Sequence, residues 1–187
     1  MLKSFDEIVG LPEPINSVPY ECLCIGFRDF LRDLHEWEVT AKSQASSPLV
    51  WSKLDPSNST VLWFRDIMAA NSLTHCWAFE IVARTHLDIL NRATTTAEQL
   101  GNLSTPQAPI GIDYGRSLIE SAEMICDSMS YLFQPELKLY GPGSAIFTLS
   151  TAIKTLESDE KACKFQLSRC QKELDRLASV GISFPRI

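Results

Sequence analysis

Leu23, Phe27, Phe30, Leu34 and Trp37 follow one another in steps of four, three, four and three. At 3.6 residues per turn, such steps gather large side chains onto one face of a helix. Arg28, Asp29, Arg32, Asp33 and Glu36 fill much of the other side. The spacing predicts a helix from about Pro19 to Ala41, ended by the stretch SQASSP.

The same period recurs along the chain. From Thr60 to about Arg92, Leu62, Trp63, Ile67, Ala70, Leu73, Trp77, Ile81 and Leu87 leave a segment apolar on most sides. That is the pattern of a central helix, and Ser57-Asn58-Ser59-Thr60 reads as its entry. Leu118, Ala122, Ile125, Met129 and Leu132 predict a third helix from about Asp113 to Phe133. A fourth starts near Pro142 and carries Ile146, Phe147, Leu149, Ala152, Ile153 and Leu156. Ser158 caps a fifth, with Asp159 and Glu160 in its first turn. Ala162, Phe165, Cys170, Leu174, Leu177 and Ala178 form its apolar side, and Gly181 stops it. Residues 92–113 have no period and are rich in Thr, Pro and Gly, which predicts a long internal loop. No run alternates long enough to require a sheet. The expected fold is therefore all-α: one helical domain over 1–187, with about five main packed antiparallel helices and no sheet.

A chain of 187 residues can bury a sizeable core. Its net charge of -6 argues against direct nucleic-acid binding, which needs clustered Lys and Arg to neutralise phosphates. No apolar run approaches the length of a membrane span. The start, MLKSFDEIVGLPEPINS, places acids and prolines where a signal peptide needs an apolar block. These features predict an intracellular chain, nuclear or cytoplasmic, with no membrane contact. Cys22, Cys24, Cys76, Cys126, Cys163 and Cys170 are scattered, and no disulfide framework is expected. The glycosylation sequons at Asn58 and Asn102 are read as chance matches.

The residues capable of chemistry do not assemble into a reactive set. Gly141-Pro142-Gly143-Ser144 could suggest a phosphate loop. Such a loop needs successive backbone N–H donors and a nearby Lys, whereas Pro142 removes a donor and the next Lys is Lys154. Punctuation between two helices explains the turn better. His75 and His86 lie about 16 Å apart along one helix and cannot share a metal. His75 and Cys76 are adjacent, so they point about 100° apart. His35, beside Glu36, reads likewise as a packed or surface histidine. Cys22 and Cys24 are too close for a zinc knuckle, and Cys163 and Cys170 share a helix face that suits packing. Asp66, Glu80 and Asp88 are further acids on the central helix. Glu120, Glu123 and Asp127 form a row at helical spacing, but a di-metal site also wants Glu-x-x-His partners. A solvated face is the expectation. No catalytic, cofactor-binding or metal-binding residue is predicted, the chain is not expected to be an enzyme, and no cofactor is implied. Trp37 and Trp51 are candidate exposed anchors, whereas Trp63 and Trp77 read as buried.

The last 75 residues or so resemble the C-terminal helical region of fungal zinc-cluster (Zn2Cys6-type) transcription factors. The resemblance lies in a phrase formed here by Ile125, Cys126, Asp127, Ser128, Tyr131, Gln134 and Pro135. Tyr140-Gly141-Pro142 follow, then a helix with Phe147, Leu149, Ala152 and Ile153, then Gly181-Ile182. The earlier helices fit in character only. The basic, closely spaced six-cysteine cluster that reads DNA in those regulators is missing. The resemblance implies a regulatory or interaction domain linked to a secondary-metabolite gene cluster, with protein partners or self-association and room for a small-molecule effector. The rival expectation is a small helical ligand-binding protein or enzyme of fungal secondary metabolism, its pocket lined by aromatic residues such as Trp63, Trp77 and Phe147.

Overall fold

The computed structural model describes residues 17–56, 58–101, 115–158, 160–179 and 181; for 17–19, 94–101 and 160–162 it describes the backbone alone. The described chain is mostly helical. Helix α1 spans Ser17–Gln44, α2 Ile67–Gly101, α3 Leu118–Asp127, α4 Met129–Leu132, α5 Tyr140–Glu157 and α6 Glu160–Ser179. A 3-10 turn, Pro135–Leu137, joins α4 to α5.

The absence of a sheet is overturned. Strand β1, Val50–Leu54, pairs antiparallel with β2, Thr60–Phe64, in the register Val50 to Phe64 and Leu54 to Thr60. Thr60 therefore opens a strand rather than a helix. The run Thr-Val-Leu-Trp-Phe is β-branched and aromatic, which suits a half-buried pleated surface. The hairpin turn is built by Asp55 and Asn58. The Asp55 N–H donates to Ser59 O and the Asn58 N–H to Asp55 O, both at 2.9 Å, and Asp55 Oδ1 accepts the Ser59 N–H at 2.8 Å. Asn58 takes a left-handed φ of 62°, which Asn tolerates better than most residues. Pro56 suits the turn because it presets φ.

Helix α2 begins only after Asp66, whose Oδ1 accepts the Ala69 N–H at 2.7 Å. It then runs past Arg92 to Gly101, into the span expected as loop; residues 102–114 lie outside the described residues. Helix α3 starts at a capping box: Ser117 Oγ accepts the Glu120 N–H, and the Glu120 carboxylate accepts the Ser117 N–H. The expected third helix is interrupted at Ser128, whose Oγ donates to Met124 O at 2.7 Å. A Ser bonded back to the preceding turn competes with the helical ladder and bends the chain there.

Gly141 and Pro142 lie inside the first turn of α5, and the Gly143 N–H already donates to Leu139 O at 2.9 Å. A Cβ on Gly141 would fall 1.8 Å from the Leu132 carbonyl oxygen, so only glycine lets α5 approach the end of α4 so closely. Ser158 belongs to the end of α5, its Oγ donating to Thr155 O at 2.6 Å. Beyond α6, Gly181 takes a φ of 85° and donates its N–H to Ala178 O.

The main core forms where α2 meets α3, α5 and the inner face of β2, with α6 closing over α5 and, less extensively, α3. Trp77, Ile125, Leu132, Leu149 and Leu156 are fully buried in it. Phe64 of β2 packs against Trp77 and Tyr131, with ring centroids 6.3 and 5.3 Å apart. On α6 the buried positions are Cys163, Cys170 and Leu177, seven apart, while Phe165 faces outward against expectation. A second, smaller cluster of Tyr20, Cys24 and Leu90 joins α1 to α2.

A disulfide, which was not expected, joins Cys126 of α3 to Cys170 of α6 with Cα atoms 6.1 Å apart. The two residues are 44 apart in sequence, so only the packing of α3 against α6 brings them together. Among the described residues no helix is long and apolar enough to cross a membrane.

Candidate functional site

The packing of α1 decides what this molecule presents to its surroundings. Its buried positions are Tyr20, Cys24, Leu31 and Glu38. At about 100° per residue, that ridge is rotated by about 75° from the apolar stripe centred on Leu23, Phe27, Phe30, Leu34 and Trp37. Phe30 and Trp37 are consequently exposed.

The cause of the rotation is polar. Glu38 accepts two hydrogen bonds from the Arg116 guanidinium, at 3.1 Å on Oε1 and 2.7 Å on Oε2. Trp77 Nε1 donates to Oε1 at 3.1 Å, and Lys42 Nζ at 2.6 Å. Arg116 also grips Glu80 through Nε at 2.9 Å and through a second, very short contact from its terminal nitrogen. Arg84 donates to the other Glu80 oxygen at 2.8 Å and to Arg116 O at 2.9 Å. Glu38, Glu80 and Arg116 thereby tie α1, α2 and the entry to α3 into one cluster.

Burial alone would raise the Glu38 carboxyl, but hydrogen bonds from Arg116, Lys42 and Trp77 outweigh it and hold the group at about 2. Burial works against the Arg116 charge as well, and its bonds to Glu38 and Glu80 prevail, keeping it firmly protonated. Every carboxylate oxygen of Glu38 and Glu80 is engaged, and Glu38 is held far below neutrality. This is a structural clip rather than an acid–base pair. Cys76, beside it, is pushed up to about 12 by burial and then by the Glu38 charge, so it carries no thiolate at neutral pH. The pairing of His75 with Cys76 as base and nucleophile fails on that ground too.

The other singled-out residues are distributed as follows. His75 Nδ1–H donates to Asn71 O at 2.9 Å, and His86 Nδ1–H to Val82 O at 2.7 Å, each within α2. His86 stacks on Phe27 at 5.9 Å, and His35 is exposed. The acidic row of α3 is a solvated face only at Glu120. Glu120 completes the capping box with Ser117, Glu123 accepts from Gln166 Nε2 at 2.5 Å, and Asp127 pairs with Arg169 at 2.7 Å, the last two facing α6. Asp66 caps α2 and Asp88 pairs with Arg92. Among the described residues no group of three or more His, Cys, Asp or Glu is placed to hold a metal ion. Trp37 and Trp51 are exposed, Trp77 is fully buried, and Trp63 is half-buried under Lys53, whose Nζ lies 4.2 Å above its ring.

The rotation of α1 leaves an aromatic surface that spans three helices. Phe30 of α1 meets Phe79 of α2 edge-on at 6.4 Å, and Phe79 meets Phe147 of α5 at 5.3 Å. His75 lies 6.2 Å from Phe79 and 5.9 Å from Phe147. Phe30, Phe79 and Phe147 are 42%, 43% and 40% exposed, an unusual fate for three phenylalanines linked in a row through Phe79. Met68, two turns before His75 on α2, and Ile146 on α5 are exposed as well. The edge on α1 carries Asp29 and Asp33 with Arg32 between them, and the edge on α5 carries Lys154, two turns beyond Phe147.

Helical spacing places Phe30 and Phe147 in core stripes. Glu38 and Arg116 were missed. Their only signal was a carboxylate next to Trp37 on the apolar side of α1 and a lone Arg preceding a capping Ser. No protein-family model matches this chain, and no curated protein or solved structure is similar to it.

Proposed function

We propose that this chain is a helical regulatory module of the kind its C-terminal sequence resembles in fungal zinc-cluster transcription factors, and that it works by pairing with a second copy through the Phe30–Phe79–Phe147 face. Such a module acts inside the cell, in the nucleus or cytoplasm, and leaves DNA contact to other parts of an assembly. The observation that carries the reading is the contiguous, half-exposed aromatic face. Aromatic side chains are the usual energetic centres of protein interfaces. A second copy is the favoured occupant because of the rim charges. Around α1, Asp29 and Asp33 lie nearer Phe30 than Arg28 and Arg32 do, and around α5, Lys154 lies nearer Phe147 than Glu157 does. In a two-fold pair the same patch meets itself, and with the axis running between the α1 and α5 edges the acidic edge of one copy faces the basic edge of the other.

Sedimentation velocity over a micromolar concentration series tests this. The expected result is a reversible dimer that is lost in Phe79→Ser with little change in unfolding midpoint. Lys154→Glu weakens the dimer, and adding Asp33→Lys restores it. A chain that stays monomeric throughout, or a dimer indifferent to Phe79→Ser, refutes the pairing.

A further inference from the structure

Helix α6 is held to the rest of the molecule unevenly. It packs chiefly on α5, its neighbour in sequence, and only thinly on α3. At the thin contact the polar groups are incompletely matched. Arg169 pairs with Asp127 at 2.7 Å, and Gln166 Nε2 donates to Glu123 at 2.5 Å. Gln166 Oε1, however, is buried without a hydrogen-bond partner, and Glu173 Oε2, also without a hydrogen bond, has Arg176 of its own helix at 3.8 Å. Unsatisfied buried acceptors oppose docking. The disulfide between Cys126 and Cys170 lies across this same contact, with both residues buried.

We infer that the Cys126–Cys170 bond is a reducible clip that closes α6 onto α3, and that its reduction releases α6 while the remaining helices stay folded. This is independent of pairing through the aromatic face. The step is thiol–disulfide exchange. A dithiol reductant gives up two electrons and two protons and closes its own disulfide, while the Cys126–Cys170 bond becomes two thiols. Both sulfurs are buried, so attack waits on a local opening of α6, and the exchange is held back by how rarely that opened state forms. Cross-links between distant residues act by restricting the opened state, which is the state that reduction sets loose.

The test is hydrogen exchange by mass spectrometry on the full chain, before and after treatment with dithiothreitol, with complete reduction verified by alkylation of Cys126 and Cys170. Protection in α6 is expected to fall at least tenfold, with protection in the 67–90 part of α2 unchanged. The Cys126→Ser/Cys170→Ser double variant should show the low α6 protection with or without reductant. Three outcomes overturn the inference: unchanged α6 protection after full reduction, parallel loss of protection in α2, or alkylation of both cysteines in the chain before any reductant is added.

Discussion

Arg116 donates to both carboxylate oxygens of Glu38, at 3.1 and 2.7 Å, across 78 residues of sequence. This bidentate contact turns α1 so that a carboxylate, rather than a phenylalanine, points inward. Removing one member of such a buried pair leaves the other charge stranded. Arg116→Met is expected to cost about 3–5 kcal/mol in urea unfolding, because it strands both Glu38 and Glu80. Glu38→Leu combined with Arg116→Met should cost less than the two single changes added together, by about 1–3 kcal/mol. Strict additivity would mean that the two residues do not act as a unit.

Acid should loosen the same clip. The Glu38 carboxyl is held at about 2, below its ordinary 4.5, so the folded state binds its proton less readily than the unfolded state. Its contribution, about 3 kcal/mol, is fully present above pH ~4.5 and is lost as the pH falls toward ~2. Asp127 and Glu173 behave oppositely. Burial raises both, against the pull of Arg169 on Asp127 and of Arg176 on Glu173, so each favours the folded state as the pH falls. Urea midpoints measured stepwise through this range should decline with acid in the wild type and less steeply in Glu38→Gln. An equal slope in the two proteins would rule Glu38 out as the source.

Gly141 and Gly143 should respond to alanine with opposite signs. A Cβ on Gly141 meets the Leu132 carbonyl at 1.8 Å, and backbone cannot move aside as a side chain can. Gly141→Ala is expected to destabilise by about 3 kcal/mol, at the upper end of overpacking costs. A Cβ on Gly143 meets nothing within 4 Å, and the residue lies in a helix. Gly143→Ala should stabilise by about 0.5–1 kcal/mol through helix propensity alone. Thermal unfolding of the two variants side by side gives the answer.

The start of α3 offers a smaller test. Ser117 satisfies the Glu120 N–H, and Glu120 returns the bond to the Ser117 N–H. Ser117→Ala should cost about 1 kcal/mol, with Ser117→Asp close to wild type, because an N-cap needs an acceptor and not a particular side chain. Equal losses in both would show that the hydroxyl acts in another way.

Much of the helical architecture was legible in local spacing. The period of three and four from Leu118 to Leu132 and from Ile146 to Leu156 marks helices because backbone geometry alone dictates which residues share a face. Asp66, Ser117 and Gly181 mark ends for equally local reasons. The hairpin was legible too, in Asp55, Pro56, Asn58 and the β-branched and aromatic run after Thr60, but that run is also apolar enough to pass for the start of α2. Periodicity cannot arbitrate over so short a stretch, and pairing with Val50–Leu54 does.

What the sequence by itself determined, then, is that the chain is mostly helical and that each helix has an apolar side, since these follow from residues a few positions apart. Which part of each side is buried was decided only in the tertiary structure. The α1 stripe through Phe30 and Trp37 yields to a ridge containing Glu38 because Arg116, Trp77 and Lys42 converge on that carboxylate. The cysteines at 126 and 170 meet because α6 lies against α3. Contacts between residues tens of positions apart depend on how whole helices are rotated and stacked, and no local pattern encodes that rotation. The exposed aromatic face of Phe30, Phe79 and Phe147 is its product.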